Sequence, residues 1–150
     1  MLNINKNLAQ EIVNAVSTVV DRDINFIDKN GIIIGSTNKD RFNLFHEAGY
    51  EAIKTGNYII VERDDQYKGS REGINYPIKI NNVPIGVIGI TGNPKEVNKF
   101  GFLVTKITEV FIKEQQLNYK YEVDKQKVSY VIKSLIYNEI ESRNDIDLIL

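Results

Sequence analysis

Residues 74–91 read INYPIKINNVPIGVIGIT, and this stretch decides the fold. Ile74, Tyr76, Ile78 and Ile80 alternate with Asn75, Pro77, Lys79 and Asn81, the period-two pattern of a strand. A turn at Asn81-Asn82 leads into a second run, VPIGVIGIT, so the stretch predicts a β-hairpin. Pro77 and Pro84 lack an amide proton, which places them at edges, strand starts or bulges.

Working outward, INFID and IIIGS flank Lys29-Asn30-Gly31 and predict an earlier hairpin. NYIIVER at 57–63 predicts a fifth strand, and DDQYKGSREG at 64–73 a polar loop. Leu2 to Val20 carries Leu8, Ile12, Ala15, Val16 and Val19 on one helical face, stopping near Asp21-Arg22-Asp23. Lys39 to Lys54 is helical in tendency, with Asn38 or Asp40 as N-cap and Phe42, Phe45, Ala48 and Ile53 toward a core. Gly49 and Gly56 weaken or end turns there. Asn93 can cap the last element, with Pro94 at its first position and Glu96 placed for a capping box. Phe100, Leu103, Ile107, Val110, Leu117, Tyr121, Val128, Val131 and Leu135 then step by threes and fours, interrupted by Glu114 and Asp124. One helix from Pro94 to about Asn138 would span roughly 65 Å, so its far end should project or pair with a second copy. A break near Tyr119 to Lys127 is the alternative.

Composition narrows the function classes. The 150 residues suffice for one domain with a core, and 42% hydrophobic against 26% charged is an ordinary globular balance. A net charge of -1 gives no global attraction for nucleic acid. With 0 Cys, disulfides, thiolate catalysis and Cys-based zinc sites drop out together, which fits a reducing cytoplasm. No apolar run approaches the roughly 20 residues of a membrane span, and MLNINKNLAQEIV does not read as a secretory signal.

Three polar clusters interrupt the apolar elements: Gly35 to Arg41 followed by His46-Glu47, Arg71 to Pro77, and Gly89 to Gly92. They hold what a small hydroxylated carboxylate requires. Arg41 can meet a carboxylate, as can backbone amides at Gly73 and Gly92, where no Cβ blocks approach. His46, Asn75, Ser36 and Thr91 can donate and accept, as hydroxyls demand. The same letters have plain roles too: Arg41 as a solvated charge, His46 at a core edge, Asn75 on an exposed strand face, Thr91 as an ordinary strand residue, the glycines in turns. Catalytic patterns fare worse. No GxSxG elbow, GxxxxGK[ST] loop or metal-ligand spacing occurs, and the glycines of GVIGITG lie in a hairpin rather than a βαβ unit. No catalytic residue, metal or cofactor is assigned.

Several of these pieces resemble a known family. LAQEIV (Leu8 to Val13), INFIDKNGIIIGS (Ile24 to Ser36), DRFNLFHEA (Asp40 to Ala48), REGINYPI (Arg71 to Ile78) and IGVIGITGNP (Ile85 to Pro94), with Phe100-Gly101, resemble the N-terminal sugar-diacid recognition domain of bacterial carbohydrate-diacid transcriptional regulators. They run in order over most of Leu8 to about Leu117, and the combination of HEA, GIN-x-P and GVIGITG is the specific part. The resemblance implies a PAS-like α+β sensor: a five-stranded antiparallel sheet with helices on one face, namely an N-terminal helix, short helices and a long C-terminal helix. It implies a cytoplasmic ligand-binding regulator, not an enzyme, taking glycerate, glucarate or galactarate. A C-terminal helix-turn-helix domain would follow, so that DNA is touched only by a domain absent from this chain. SYVIKSLIYNEIES (Ser129 to Ser142) looks like the linker before it, which divides the chain into a sensor at 1–117 and a helical linker at 118–150. On this reading the chain is an excised sensor fragment or a short paralogue, with a homodimer formed through the long helix.

The resemblance also implies roles. Arg41 and the backbone of Gly73, Ile74 and Asn75 would hold carboxylate oxygens; His46, Asn75, Ser36 and Thr91 would hold hydroxyls; Gly92 would line the site and Pro77 shape its strand. Alternation sets Asn75 opposite Ile74 and Tyr76, so either a bulge re-aims it or the pocket lies on the less apolar face. The competing reading is a dimerisation module with a vestigial pocket and a Phe100 to Leu135 seam. A hydrolase built on His46 lacks a nucleophile partner.

Overall fold

A computed structural model describes residues 3–149, with side chains described for residues 3–142. The chain forms two compact units, Met1–Phe111 and Ile112–Leu150. The first holds an antiparallel sheet built from β1 (Ile24–Ile27), β2 (Ile33–Ser36), β3 (Ile59–Val61), β4 (Gly73–Ile80) and β5 (Val83–Thr91), in the order β2-β1-β5-β4-β3. Its helices are α1 (Lys6–Ser17), α2 (Glu47–Thr55), α3 (Pro94–Val97) and the start of α4 (Gly101–Ile149).

The β4–β5 hairpin turns where the sequence predicts. Asn81 and Asn82 have φ of 53° and 65°, the left-handed pair whose twist matches the flanking strands. Both prolines avoid breaking a ladder. Pro77 lies beyond β3, which pairs only with Gly73 to Asn75. Pro84 faces Lys79, where the register shifts by a bulge between Ile78 and Lys79. In the first hairpin Asp28 Oδ1 accepts from the amides of Asn30 and Ile32 at 2.8 and 3.0 Å, and Gly31 takes φ 81°.

The helices do not all share one face. Paired residues share a face and neighbours along a strand alternate. Phe26 and Gly35 face α1, where a Cβ on Gly35 would sit 2.8 Å from the backbone of Ala9. Ile27 and Val87 lie on the opposite face and pack with Ala52 and Ile53 of α2. The expectation of one helical face fails because both faces of β1 and β5 are apolar, and each needs cover.

Helix boundaries also moved. The expected start of the first helix at Leu2 lies outside the described residues. Asn5 caps α1 by accepting from the Leu8 amide at 2.8 Å, and Ala9, Ile12, Val13 and Val16 are buried, while Val19, past the helix end, is exposed. The Lys39 to Lys54 helix divides into a 3-10 turn, Lys39–Arg41, capped by Asn38, and α2. The intervening segment pairs instead with the first hairpin: Asn43 N donates to Ile33 O, Ile33 N donates to Leu44 O, and His46 N donates to Gly31 O. That pairing leaves Phe45 exposed, while Ala48 and Ala52 enter the core.

The single helix expected from Pro94 is also divided. Asn93 Oδ1 accepts from Lys95 N and Pro94 holds the first position of α3, but a 3-10 turn at Asn98–Phe100 separates α3 from α4. Glu96 pairs with Arg22 at 3.2 Å rather than closing a capping box. In the second unit α4 runs without a break through residues 119–127. There Leu117, Tyr121, Val128, Val131 and Leu135 are exposed at heptad-like spacing.

Candidate functional site

One row of residues crosses the whole sheet. Ser36 pairs with Asn25, Asn25 with Gly89, Gly89 with Asn75, and Asn75 with Ile59. All therefore lie on one face, the face covered by α2. Ser36, Asn25 and Asn75 are buried, at 2, 3 and 3% exposure. No bulge re-aims Asn75, since the β4–β5 shift falls at Ile78 and Lys79; the amide simply lies on the less apolar face.

The start of α2 stands over this row. Ile27 Cδ1 lies 2.7 Å from the place a Cβ on Gly49 would take and 3.8 Å from that on Gly89. His46 is the N-cap of α2, its Nδ1 accepting from the Gly49 amide at 3.0 Å. Because Nδ1 must accept, the neutral ring carries its proton on Nε2 and presents a donor there. Ser70 Oγ accepts from Ala48 N at 3.2 Å and lies 3.3 Å from His46 Nδ1. Glu47 N donates to Lys68 O at 3.0 Å. The first amides of α2 are thus all engaged by the 62–72 loop and by His46, and none is left for an anion.

Arg41 is buried beside them at 5% exposure, one Nη donating to the carbonyl of Gly69 at 2.6 Å. Burial and the neighbouring Arg71 charge lower its pKa, while Asp23 and Asp64 oppose that shift; guanidinium stays charged regardless. His46 is depressed to about 4 by burial first and by Arg41 second. Its native state therefore refuses a proton that the unfolded chain accepts near pH 6.5. Stability is complete above that value and falls as pH drops toward 4, by about 2 kcal/mol between pH 7 and pH 5. Urea melts should show this slope in the wild type and its loss in His46→Asn, where asparagine still caps α2. Equal slopes in the two proteins would refute the assignment.

Several of these groups keep unused hydrogen-bonding capacity. Among the described residues, the Asn75 side chain, Asn25 Nδ2 and His46 Nε2 have no hydrogen-bond partner. No side-chain nitrogen or oxygen there is both sealed from solvent and unpartnered. Each of these unpartnered atoms therefore keeps some solvent-accessible surface.

The other expected residues sit differently. Ser36 Oγ donates to Asn25 Oδ1 at 2.6 Å and accepts from Asn38 N at 3.0 Å, so it orients Asn25. Gly73 to Asn75 lie inside ladders to both β3 and β5, which occupies their backbone amides. Gly92 N donates to Glu72 O. Ile74 points to the opposite face and lines a concavity of about 450 Å³ with Tyr58 and Ile60. Thr91 shares the Asn75 face one row toward the sheet end, where it and Gly92 line a concavity of about 540 Å³ with Arg22, Asp23 and Thr37. Neither concavity includes Arg41, His46 or Asn75. Asn25, Gly69 and Ser70 are not among the candidates read from sequence, and Gly89 enters there only as the first residue of the third polar cluster. The one visible signal was Asn25, a polar letter inside the apolar run INFI.

Among the described residues no group of three His, Cys, Asp or Glu could hold a metal ion, and no helix is long and apolar enough to cross a membrane. Solved structures share the fold at low identity. A GAF domain from A. Aeolicus superposes with TM-score 0.52 at 15% identity, covering 77% of this chain and 88% of that one. The free methionine-R-sulfoxide reductase from Neisseria meningitidis superposes with TM-score 0.55 at 12% identity, covering 73% and 78%. The α+β architecture expected as PAS-like thus finds its named neighbour in a GAF domain. The carbohydrate diacid regulator of Escherichia coli is 32% identical over 136 residues, 88% of this chain and 35% of that protein. The chain spans about a third of the length of the curated relatives it matches. The family described as sugar diacid recognition matches residues 4–135, and this chain belongs to that family.

Proposed function

We propose that residues 1–117 form a cytoplasmic sensor for a small hydroxy carboxylate, glycerate, glucarate or galactarate, and that its occupancy governs DNA binding by a domain outside this chain. The observation that carries the reading is the Asn75 amide, buried at 3% exposure without a partner among the described residues, on the sheet face covered by α2, the helix that His46 caps with Arg41 beside it. Arg41 offers a charged fork for a carboxylate. His46 Nε2 donates to a second oxygen, and Asn75 both donates to and accepts from a hydroxyl. Thr91 stands at the margin of the same face, and Ser36 acts through Asn25.

This is a binding site rather than a catalytic one. Every group in it is a hydrogen-bonding or charged contact, and the chain has 0 Cys to carry thiol chemistry. Residues 118–150 act as a helical linker that pairs with a second copy along Tyr121, Val128, Val131 and Leu135, so ligand shifts a population of dimer states.

Calorimetric titration of the chain with D-glycerate, D-glucarate and galactarate tests this. One acid should bind and raise stability by about 2.7 kcal/mol at a hundred times its Kd. Should none bind or shift the melt, while sedimentation shows a dimer, the dimerisation module with a vestigial pocket is the better account.

A further inference from the structure

The recognition scheme above assigns Asn25 no ligand atom of its own, yet its surroundings single it out. It is 3% exposed, and its Oδ1 is committed to Ser36 Oγ at 2.6 Å. That bond fixes the amide so that Nδ2 is the free end. Across the sheet, Asn25 and Asn75 stand on either side of Gly89 in one register row. Two strand spacings separate them, about 10 Å between backbones, and the middle position has no side chain. A Cβ on Gly89 would fall 2.7 Å from Asn75 Oδ1, so the Asn75 amide leans over the glycine.

We propose that Asn25 is a ligand contact and Gly89 its positioning counterpart: together with Asn75 they form a slot that reads a hydroxyl. The hydroxyl accepts from Asn25 Nδ2 and donates to Asn75 Oδ1. Such a pair matches a group that both donates and accepts, and rejects a carbon bearing only hydrogen, because the two buried amides would then stay unpaired. Asn25 and Asn75 thereby set preference for hydroxylated over deoxy acids, while Arg41 supplies affinity for the carboxylate common to both. This rests on the hydroxy-carboxylate reading of the site.

The plain alternative makes Asn25 a tie between β1 and β2 through Ser36. The test compares D-glucarate with adipate, and D-glycerate with propionate, by calorimetry on the full chain. Wild type should favour the hydroxy acid it takes by about tenfold or more over its deoxy partner. Asn25→Ala should collapse that ratio toward one, whereas a loss of general stability would weaken both acids alike. Asn25→Ser still accepts from Ser36 but is too short to reach the slot, and gives the same readout where Asn25→Ala fails to fold. Gly89→Ala meets only the flexible tip of Asn75, so the fold should survive. It should weaken the hydroxy acid about tenfold in the wild-type background and not at all in Asn75→Ala, since coupled residues are non-additive. An unchanged ratio in the Asn25 variants, or an additive Gly89 effect, overturns this inference alone. Failure of the wild type to bind any of the acids overturns the functional reading, and this one with it.

Discussion

Arg41→Ala is expected to lose binding of the hydroxy acid by a factor of about 30 to 5,000, corresponding to the roughly 2–5 kcal/mol that truncating one member of a buried charge pair costs. The reasons are local. Arg41 is 5% exposed, and the 2.6 Å bond to Gly69 uses one nitrogen of its fork. The amides that might otherwise stabilise an anion, at the start of α2 and along Gly73 to Asn75, are engaged elsewhere. A carboxylate entering this space therefore depends on side chains, and among the described residues Arg41 is the buried one that carries a permanent charge. Arg41→Lys should recover little, because an ammonium cannot reproduce two parallel bonds. In the absence of ligand Arg41→Ala should lower stability by about 1.5–3 kcal/mol, the worth of the lost charged bond to the Gly69 carbonyl. Calorimetry and thermal melts on the same preparation separate the two effects. A variant that binds within about threefold of wild type would remove Arg41 from the site.

Gly73→Ala is expected to cost more than about 3 kcal/mol of stability and to lower the melting temperature by something on the order of 10 °C. Gly73 starts β4, paired with Val61 on one side and Thr91 on the other. A Cβ there would run into the carbonyl oxygen of Ile90 and sit 3.0 Å from its carbon and 3.1 Å from Thr91 Cα. All three are backbone atoms of the central strand, and they cannot yield without opening the ladder. Gly89→Ala is the control, since its Cβ meets a side-chain tip that can turn aside. Circular dichroism melts of the two variants should therefore differ by several degrees. If Gly73→Ala melts like wild type, the close approach of β4 to β5 at this point is wrong.

The amino-acid order alone determined what local physics can decide. The Asn81-Asn82 turn follows from a residue type that accepts a left-handed backbone, the caps at Asn38 and Asn93 from short side chains that can turn back to a free amide, and the strands from period-two or unbroken apolar runs. It also placed Arg41, His46 and Asn75 among the polar letters worth watching. What it could not show was pairing between distant segments. Residues 36, 25, 89 and 75 become neighbours only because β5 inserts between β1 and β4, and that register fixes which letters share a face. The same distance in sequence hid the division of the 39–54 helix, whose middle found better partners in Gly31 and Ile33 than in its own preceding turn. A backbone hydrogen bond is satisfied equally well near or far, so local propensity proposes the elements, and the burial of both sheet faces decides where each side chain goes.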